Sequence, residues 1–292
     1  MPDVVVIGSG PAGITAAIYA LRSGMETVVI GKDKGSLERA GMIENYYGFP
    51  EPVSGVQLIE YGIAQAEKLG AKMMQDEVVG LGFGQKLLVK AKTGSLEADT
   101  VILATGSSRK KPKIKGLQEL EGSGVSYCAT CDAFFYRKKD VAVLGNGEYA
   151  LSEAKELAEV ASSVTILTNG LEMTVGMPSN IAVNQKEIES LEGEGRLQHI
   201  KFKDGTELAA AGAFVAMGVA TSSDLARMMG VSLNGSEVIV NENMETNVPG
   251  VFAAGDCTGG WLQVSKAVYQ GAKAGFEAVK YIRGNRGNQD AK

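Results

Sequence analysis

Two stretches of this chain each read as a buried strand that runs directly into a glycine-rich turn and then into a helix. In the first, the apolar run Val4–Ile7 leads into the turn Gly8-Ser9-Gly10-Pro11-Ala12-Gly13. In the second, Val141–Leu144 leads into Gly145-Asn146-Gly147. Such a turn lets backbone N–H groups and a helix N-terminus approach a pyrophosphate closely. The chain is therefore predicted to contain two Rossmann-type βαβ units.

The first unit lacks one residue that such a site normally contains. We expect a helix from Ile14 to Ser23 and a second strand over Thr27–Ile30. A carboxylate usually ends that second strand and binds the ribose. Here Gly31 stands at that position and Asp33 lies just beyond it. The sequence therefore leaves open which residue binds the ribose.

Size and composition narrow the classes of function. At 292 residues the chain suits two domains, and 45% hydrophobic residues fit a globular protein. A net charge of −5 argues against general nucleic-acid binding. No apolar run approaches membrane-spanning length, and no signal-like segment precedes the first strand. We therefore expect a cytoplasmic protein without a membrane partner.

A close cysteine pair, Cys128-Ala129-Thr130-Cys131, lies between the two glycine-rich turns. Cysteines at this spacing can cycle between a dithiol and a disulfide and so store two electrons. Half of a zinc site is the alternative reading. It would need further ligands, and only Cys257 and His199 remain, on unrelated segments. We therefore predict a redox pair in a reducing compartment, and no metal site.

Together with two later strand ends, these motifs resemble the low-molecular-weight thioredoxin reductases. The strand ends are Val101-Ile102-Leu103-Ala104-Thr105-Gly106 and Val251-Phe252-Ala253-Ala254-Gly255-Asp256, and the cysteine pair is followed by Asp132-Ala133-Phe134-Phe135-Tyr136-Arg137. The resemblance covers nearly the whole chain and implies an α/β fold of two Rossmann-like, three-layer ββα-type domains. The FAD-binding domain would comprise residues 1–112 and 242–292. The inserted domain, residues 113–241, would carry the cysteine pair.

The resemblance also implies which residues contact FAD. They are Gly8, Ser9, Gly10, Pro11, Ala12, Gly13, Gly31, Leu37, Asn45, Val78, Thr105, Gly106, Gly255, Asp256, Gln263 and Val264. Asp256 would contact the ribityl chain, and the helix after Gly260 would direct its positive N-terminus at the isoalloxazine. The segment Gly35-Ser36-Leu37 departs from the GGQ that is usual in the family. A flavin contact is therefore expected to be lost or supplied differently there.

Three residues are expected to carry the chemistry, again by resemblance. Cys131 would lie against the flavin and accept electrons, and Cys128 would attack the disulfide of thioredoxin. A thiol at the start of a helical segment has a lowered pKa, which favours the attacking thiolate. Asp132 would exchange protons with the pair, and a helix-capping role is compatible with that. Cys257 is expected to be a buried bystander and His199 a structural residue.

The second glycine-rich unit departs from the NADPH-binding pattern of the family. The family's HRRxxxR cluster is replaced by Thr168-Asn169-Gly170-Leu171-Glu172-Met173-Thr174, and no Lys or Arg occurs from Thr165 to Gln185. A 2′-phosphate would therefore lack a cationic partner. Glu148 and Tyr149 also replace the usual small polar pair in the turn. This pattern resembles the ferredoxin-dependent flavin thioredoxin reductases. The retained Gly145 and Gly147 count against that reading.

The leading hypothesis is a thioredoxin reductase that uses FAD and the Cys128–Cys131 pair, with ferredoxin as electron donor. An NADH- or NADPH-dependent thioredoxin reductase is the second hypothesis, and Glu172 lies where it could serve the ribose of NADH. A non-enzymatic flavin redox sensor is the third, and the complete motif set speaks against it.

The expected partners are thioredoxin, ferredoxin and a second copy of the chain, as a homodimer. The run from Arg109 to Lys115, with five cations in seven residues, is either a solvated linker or a docking surface for an acidic donor.

Overall fold

The computed structural model describes residues 1–33, 35–40, 42–106 and 112–290, with all their side chains except those of residues 39, 130 and 288–290. Arg109, Lys110 and Lys111 of the basic run lie outside the described residues, whereas Lys113 and Lys115 are exposed. The chain divides into two compact units, Met1–Arg109 with Thr221–Lys292 and Lys110–Ala220.

The strands in the described residues are β1 (Val4–Ile7), β2 (Thr27–Gly31), β3 (Met42–Ile43), β4 (Val53–Ser54), β5 (Lys72–Gln75), β6 (Val78–Phe83), β7 (Leu87–Ala91), β8 (Gly94–Ala98), β9 (Thr100–Leu103), β10 (Val125–Ser126), β11 (Asp140–Leu144), β12 (Ser163–Leu167), β13 (Ala182–Asn184), β14 (Ile188–Glu192), β15 (His199–Phe202), β16 (Glu207–Ala209), β17 (Gly212–Val215), β18 (Leu233–Asn234), β19 (Glu237–Val238) and β20 (Val251–Ala253). The α-helices there are α1 (Pro11–Arg22), α2 (Gly55–Lys68), α3 (Ala129–Asp132), α4 (Glu148–Ala158), α5 (Ser222–Met228) and α6 (Val264–Asp290). Short 3-10 helices cover Ser36–Arg39, Ala133–Tyr136 and Asp256–Thr258.

In the described part of the first unit, a parallel sheet has the strand order β20-β9-β1-β2-β5. Its central strand, β1, is buried throughout, as a strand covered on both faces must be. Helices α1 and α6 pack closely, because α6 presents glycines to the backbone of α1. A Cβ at Gly271 would lie 2.2 Å from the carbonyl oxygen of Ala12. Glycine is therefore needed at this helix crossing.

Residues 221–241 pack with the first unit, which differs from the boundary expected after Asn241. Helix α5 contacts β6 of the antiparallel sheet β6-β7-β8. At the start of α5, the backbone N–H of Ser222 donates to Thr105 Oγ1 at 2.8 Å. The two hydroxyl oxygens of Thr105 and Ser222 lie 2.7 Å apart. These hydrogen bonds attach α5 to the end of β9.

The second unit repeats the same architecture. Among its described residues, a parallel sheet has the order β10-β17-β11-β12-β13, and a smaller antiparallel sheet has the order β14-β15-β16. Leu117, Leu144, Leu167, Ile200 and Phe202 form part of its core. The two parallel sheets and their crossover helices confirm the predicted α/β fold.

Helix α1 begins earlier than the apolar pattern predicts, at Pro11 rather than Ile14. Proline is favoured in the first helical turn, because its missing N–H would have no partner there in any case. Ser54 caps α2, and its Oγ accepts a hydrogen bond of 3.1 Å from the N–H of Gln57. Within the described residues, no helix combines the length and apolar character needed to cross a membrane.

Candidate active site

The first glycine-rich turn joins β1 to α1 and leaves room for a ligand. A Cβ at Gly8 would lie 2.2 Å from the carbonyl oxygen of Ala104, and one at Gly13 would lie 1.9 Å from the carbonyl oxygen of Gly8. Gly10 instead faces open space, because a Cβ there would meet no heavy atom of the described residues within 4 Å. Among the described residues, no side chain caps the N-terminus of α1. Open space beside uncapped backbone N–H groups fits a pyrophosphate.

Two other predicted FAD segments end at the same edge of this sheet. Ile7 pairs with Leu103 in the parallel register, and Leu103 pairs with Ala253. Since parallel strands end together, the turn after β1 lies beside Thr105-Gly106 and Gly255-Asp256. Burial raises the pKa of the Asp256 carboxyl, and the cation of Lys266 opposes that effect.

Side chains from α6 support the loop after β20, and sequence reasoning missed them. Lys266 Nζ donates to the carbonyl oxygen of Gly255 at 3.1 Å and also to that of Gly259. Gln270 Oε1 accepts from the N–H of Gly255 at 2.9 Å and from the hydroxyl of Thr258 at 3.0 Å. These contacts hold the Gly255–Gly259 loop at the N-terminal end of α6.

Two predicted flavin contacts that are far apart in sequence lie together in the fold. Asn45 Nδ2 donates to Gln263 Oε1 at 3.2 Å. Gln263 immediately precedes Val264, the first residue of α6. The predicted contacts Asn45, Gln263 and Val264 therefore share one surface of the first unit.

The remaining predicted contacts lie around β2 and the segments next to it. A Cβ at Gly31 would lie 2.3 Å from Ser9 Oγ, which itself donates to the carbonyl oxygen of Asp33 at 3.2 Å. The Asp33 carboxylate accepts a hydrogen bond from the N–H of Gly35 at 2.9 Å and so stabilises its own loop. Leu37 lies in the 3-10 helix Ser36–Arg39, and Val78 is the first, buried residue of β6. Ser9 and Gly31 are in contact, while Leu37 and Val78 lie on separate segments.

Cys128 and Cys131 form a disulfide in the second unit. Cys128 caps α3, and the backbone N–H of Cys131 points at its Sγ with an N–S distance of 3.1 Å. Cys128 is only 3% exposed, whereas Cys131 is exposed. After reduction, the N–H directed at Cys128 would stabilise its thiolate.

Ser126 connects the cysteine pair to Asp132, a link that sequence reasoning missed. Its hydroxyl donates to Asp132 Oδ2 at 2.7 Å and accepts from the N–H of Cys128 at 3.1 Å. The Asp132 side chain does not cap the 3-10 helix that follows it, so the capping alternative is not observed. Burial, together with the charge of Asp132, raises the pKa of the Tyr136 phenol. Asp132 is thus held by a hydroxyl that also contacts the backbone of the pair.

The second glycine-rich turn is hydrogen-bonded to the segment that follows β12. Asn146 Nδ2 donates to the carbonyl oxygen of Glu172 at 2.9 Å. The N–H and hydroxyl of Thr174 donate to the carbonyl oxygen of Asn146 at 2.9 and 3.0 Å. Tyr149 is buried in the core rather than directed outward. Glu172 and Thr174, in the segment that replaces the phosphate-binding cluster, are therefore hydrogen-bonded to Asn146 of this turn.

Cys257 belongs to the first unit, whereas His199 belongs to the second unit and lies on β15, away in sequence from the cysteine pair. Cys257 is buried, and its thiol donates to the carbonyl oxygen of Ala254 at 3.3 Å. Burial raises the pKa of this thiol to about 11, so it stays protonated and unreactive. His199 Nε2 lies 3.3 Å from Glu192 Oε2 between paired strands. Among the described residues, no cluster of His, Cys, Asp and Glu side chains could hold a metal ion.

Comparison with known proteins identifies the family. The family model of the pyridine nucleotide-disulphide oxidoreductases matches residues 2–271. The thioredoxin reductase of Peptoclostridium acidaminophilum is 35% identical over 97% of this chain and 98% of its own length. The solved structure of an atypical thioredoxin reductase from Desulfovibrio vulgaris Hildenborough matches with a TM-score of 0.92 and 42% identity, over 97% of this chain and 98% of that one. A ferredoxin-flavin thioredoxin reductase from Clostridium acetobutylicum matches with a TM-score of 0.73 and 33% identity over the same shares. The chain belongs to the pyridine nucleotide-disulphide oxidoreductase family and, within it, to the FAD-containing thioredoxin reductases.

Proposed function

We propose that this protein reduces the disulfide of thioredoxin and that its electrons come from reduced ferredoxin rather than from a pyridine nucleotide. The thioredoxin reductase activity rests on the family and on the Cys128–Cys131 disulfide. The choice of donor rests on one observation, the segment 168–174, which has no cation and is hydrogen-bonded to the second glycine-rich turn through Glu172 and Thr174. The reaction is proposed to take place in the cytoplasm, where reducing conditions let the pair cycle.

The residues of the first unit fit FAD. Gly8 to Gly13 would hold its pyrophosphate, since Gly10 faces open space and the N-terminus of α1 is uncapped. Asp256 would contact the ribityl chain, and the Asn45–Gln263 pair would lie on the flavin side. When bound, FAD supplies a carrier that takes electrons singly and delivers them as a pair.

The cysteine pair then transfers two electrons to thioredoxin. Two electrons and two protons convert the Cys128–Cys131 disulfide into a dithiol. The Cys128 thiolate attacks one sulfur of the thioredoxin disulfide, whose second sulfur leaves as a thiolate and takes a proton. The Cys131 thiolate next attacks Cys128 in the mixed disulfide, which restores the pair and releases reduced thioredoxin.

The surroundings of the pair suit these steps. Asp132, held by Ser126, is placed to take up and return the protons. Cys131, the exposed cysteine of the pair, is the one proposed to accept electrons. Because Cys128 is buried, it must become exposed before it can attack thioredoxin. Phe134 and Phe135, which follow the pair closely, are 72% and 67% exposed and offer an apolar surface for thioredoxin.

The second unit offers few groups that could bind a pyridine nucleotide. Asn146 and Thr174 join the turn to residues 168–174, where a nucleotide phosphate would otherwise lie. Glu148 adds a carboxylate to the first turn of α4. The retained Gly145 has a packing explanation, since a Cβ there would lie 2.2 Å from the carbonyl oxygen of Ala216. Its retention is therefore no argument for a bound nucleotide.

The relatives include a protein whose name states the donor, the ferredoxin-flavin thioredoxin reductase of Clostridium acetobutylicum. Flavin chemistry suits ferredoxin, which delivers electrons singly, because flavin can accept them in sequence. The exposed Lys113 and Lys115 would contribute to a docking surface for such an acidic donor.

Flavin reduction under anaerobic conditions tests the donor. NADPH, NADH and reduced ferredoxin are offered separately, and the flavin absorbance is followed. We expect ferredoxin alone to bleach the flavin, with dithionite as the control for a competent flavin. Rapid bleaching by NADPH or NADH would overturn the donor assignment. If ferredoxin bleaches the flavin but added thioredoxin is not reduced, the reductase activity itself is wrong.

We also propose that the protein acts as a homodimer. Large apolar side chains remain exposed on α1 and α6, namely Tyr19, Tyr269 and Phe276. Exposed apolar groups on neighbouring helices are typical of a face that another chain covers. Light scattering during size-exclusion chromatography would give twice the mass of one chain if this is correct.

A further inference from the structure

Helix α4 contacts the segment of the cysteine pair on both sides of Cys128. Glu153 Oε2 accepts a hydrogen bond of 2.6 Å from the backbone N–H of Ala129. The hydroxyl of Tyr149 donates to the carbonyl oxygen of Tyr127 at 3.3 Å. Tyr149 and Glu153 are four residues apart in α4 and so project from the same face of the helix. The backbone is thus held immediately before and immediately after Cys128.

Both side chains are removed from solvent. Glu153 is 2% exposed and Tyr149 is 1% exposed. Ala129 is the first residue of α3, so its N–H has no acceptor within that helix and takes one from Glu153. The Glu153 distance of 2.6 Å is shorter than the usual range of about 2.7–3.2 Å for an N–H donor, whereas the Tyr149 distance of 3.3 Å is long for a hydroxyl donor. Glu153 is therefore the stronger of the two contacts.

On the basis of the proposed reaction of the pair, we propose that Glu153 is a positioning residue, assisted by Tyr149, that keeps Cys128 in place to close the disulfide with Cys131. A sulfur whose backbone is fixed on both sides has a high effective concentration towards its partner. A high effective concentration favours the disulfide and makes the dithiol a stronger reductant. The same contacts keep Cys128 buried until it reacts.

In this proposal Tyr149 has a structural role in the second unit. Tyr149 is the second residue of α4, directly after the glycine-rich turn, and its hydroxyl reaches the residue before Cys128. A helix that begins at a nucleotide-type turn therefore supports the redox segment.

The test uses the full-length protein with its cofactor and needs neither ferredoxin nor thioredoxin. The variants are Glu153→Ala, Glu153→Gln, in which the amide oxygen can still accept the hydrogen bond, and Tyr149→Phe. Glu159→Gln is the matched control, because Glu159 is an exposed carboxylate at the end of the same helix. Circular dichroism establishes that each variant is folded at the temperature used.

Two quantities are measured. The first is the equilibrium constant of the Cys128–Cys131 pair against dithiothreitol. The second is the rate of Cys128 alkylation by iodoacetamide in a Cys131→Ser background. In that background the signal comes from Cys128, because the Cys257 thiol is buried with its pKa raised to about 11.

We expect Glu153→Ala to make the disulfide about tenfold easier to reduce, a shift of about 30 mV. Alkylation of Cys128 should become at least about fivefold faster, since release of the backbone exposes the sulfur. Tyr149→Phe should change both quantities in the same direction by less, and Glu153→Gln and Glu159→Gln should stay close to the parent protein. Unchanged values in a folded Glu153→Ala variant would overturn the proposal. Equal shifts in Glu153→Gln and Glu153→Ala would also overturn it, because the charge rather than the hydrogen bond would then be the cause.

Discussion

The hydroxyl of Ser126 donates a hydrogen bond of 2.7 Å to the carboxylate of Asp132, and its oxygen accepts the N–H of Cys128 at 3.1 Å. One buried hydroxyl therefore ties the proposed proton carrier to the backbone of the proposed nucleophile. If either partner moves, the other loses its orientation.

Separate variants at Asp132 and Ser126 distinguish the proposed proton carrier from the residue that orients it. We expect Asp132→Asn to lower thioredoxin turnover about 100-fold, the order of a general acid–base contribution. Ser126→Ala should lower turnover less, by about tenfold, because the carboxylate remains but is no longer oriented. Ser163→Ala is the matched control, since Ser163 donates to Asp140 at 2.5 Å in a Ser–Asp pair on another part of the same unit. Turnover that survives Asp132→Asn unchanged would remove the proposed role.

The division of work between the two cysteines can be checked by trapping. In Cys131→Ser the mixed disulfide cannot be resolved, so Cys128 should remain joined to thioredoxin. A covalent complex with the mass of both proteins should then persist on a non-reducing gel. Cys128→Ser should form none, and Cys257→Ala should behave like the parent protein because Cys257 is buried. A complex that forms with Cys128→Ser instead would reverse the assigned roles.

The contact between α1 and α6 should be sensitive to one methyl group. In Gly271→Ala the new Cβ would lie 2.2 Å from the carbonyl oxygen of Ala12. We expect a loss of about 1–3 kcal/mol in unfolding free energy, together with a lower FAD content, because the glycine-rich turn moves with α1. In Gly284→Ala, in the same helix, the new Cβ would meet no atom of the described residues within 4 Å, so this variant should be neutral or slightly stabilising. Thermal unfolding and the ratio of flavin to protein absorbance measure both effects.

Equal behaviour of Gly271→Ala and Gly284→Ala would contradict the close packing of these helices. A stability loss in Gly271→Ala without any loss of FAD would mean that the turn is held independently of α6.

The stabilising effect of Glu277 should depend on pH. Glu277 lies in α6, where Lys280 and Lys273 contact it at 2.7 and 3.3 Å. Burial raises the pKa of its carboxyl, but the two lysines lower it further, so the pKa lies below the usual value. The stabilisation is therefore present above the unfolded-state pKa and is lost as pH falls through the folded-state pKa.

Glu277→Gln should accordingly lower the unfolding free energy by about 1–2 kcal/mol at neutral pH. The difference should shrink as pH falls below about 4.5, the ordinary value for this carboxyl. Denaturant unfolding at several pH values measures it, with Glu67→Gln as an exposed control in α2. A difference that grows in acid would show that the sign of the pKa shift is wrong.

Most of the fold was predictable from local sequence patterns. The apolar runs Val4–Ile7 and Val141–Leu144, each followed by glycines, identified both βαβ units because a buried parallel strand and its turn are contiguous in sequence. The start of α1 at Pro11 was missed because the apolar periodicity begins only at Ile14. The unit to which residues 221–241 belong could not be predicted from the local sequence. It depends on Ser222 meeting Thr105 from a distant part of the chain.

The candidate site was predictable where motifs are contiguous and not where side chains meet across the fold. The cysteine pair was recognised from its spacing, but Ser126, Tyr149 and Glu153 carry no motif, and their partners are set by packing. The sequence marked Tyr149 as an obstacle to a nucleotide, whereas the structure shows where its hydroxyl goes. Lys266 and Gln270 were missed for a similar reason, since a helical periodicity does not indicate which loop a side chain supports.

The hydrogen bonds between Asn146, Glu172 and Thr174 have a consequence for the cell in the proposed reaction. In that reaction no pyridine nucleotide takes part, so NADP⁺ would not inhibit the enzyme and a falling NADPH pool would not slow it. The redox state of thioredoxin would then follow the supply of low-potential single electrons. Biosynthesis could consume NADPH without slowing the repair of protein disulfides.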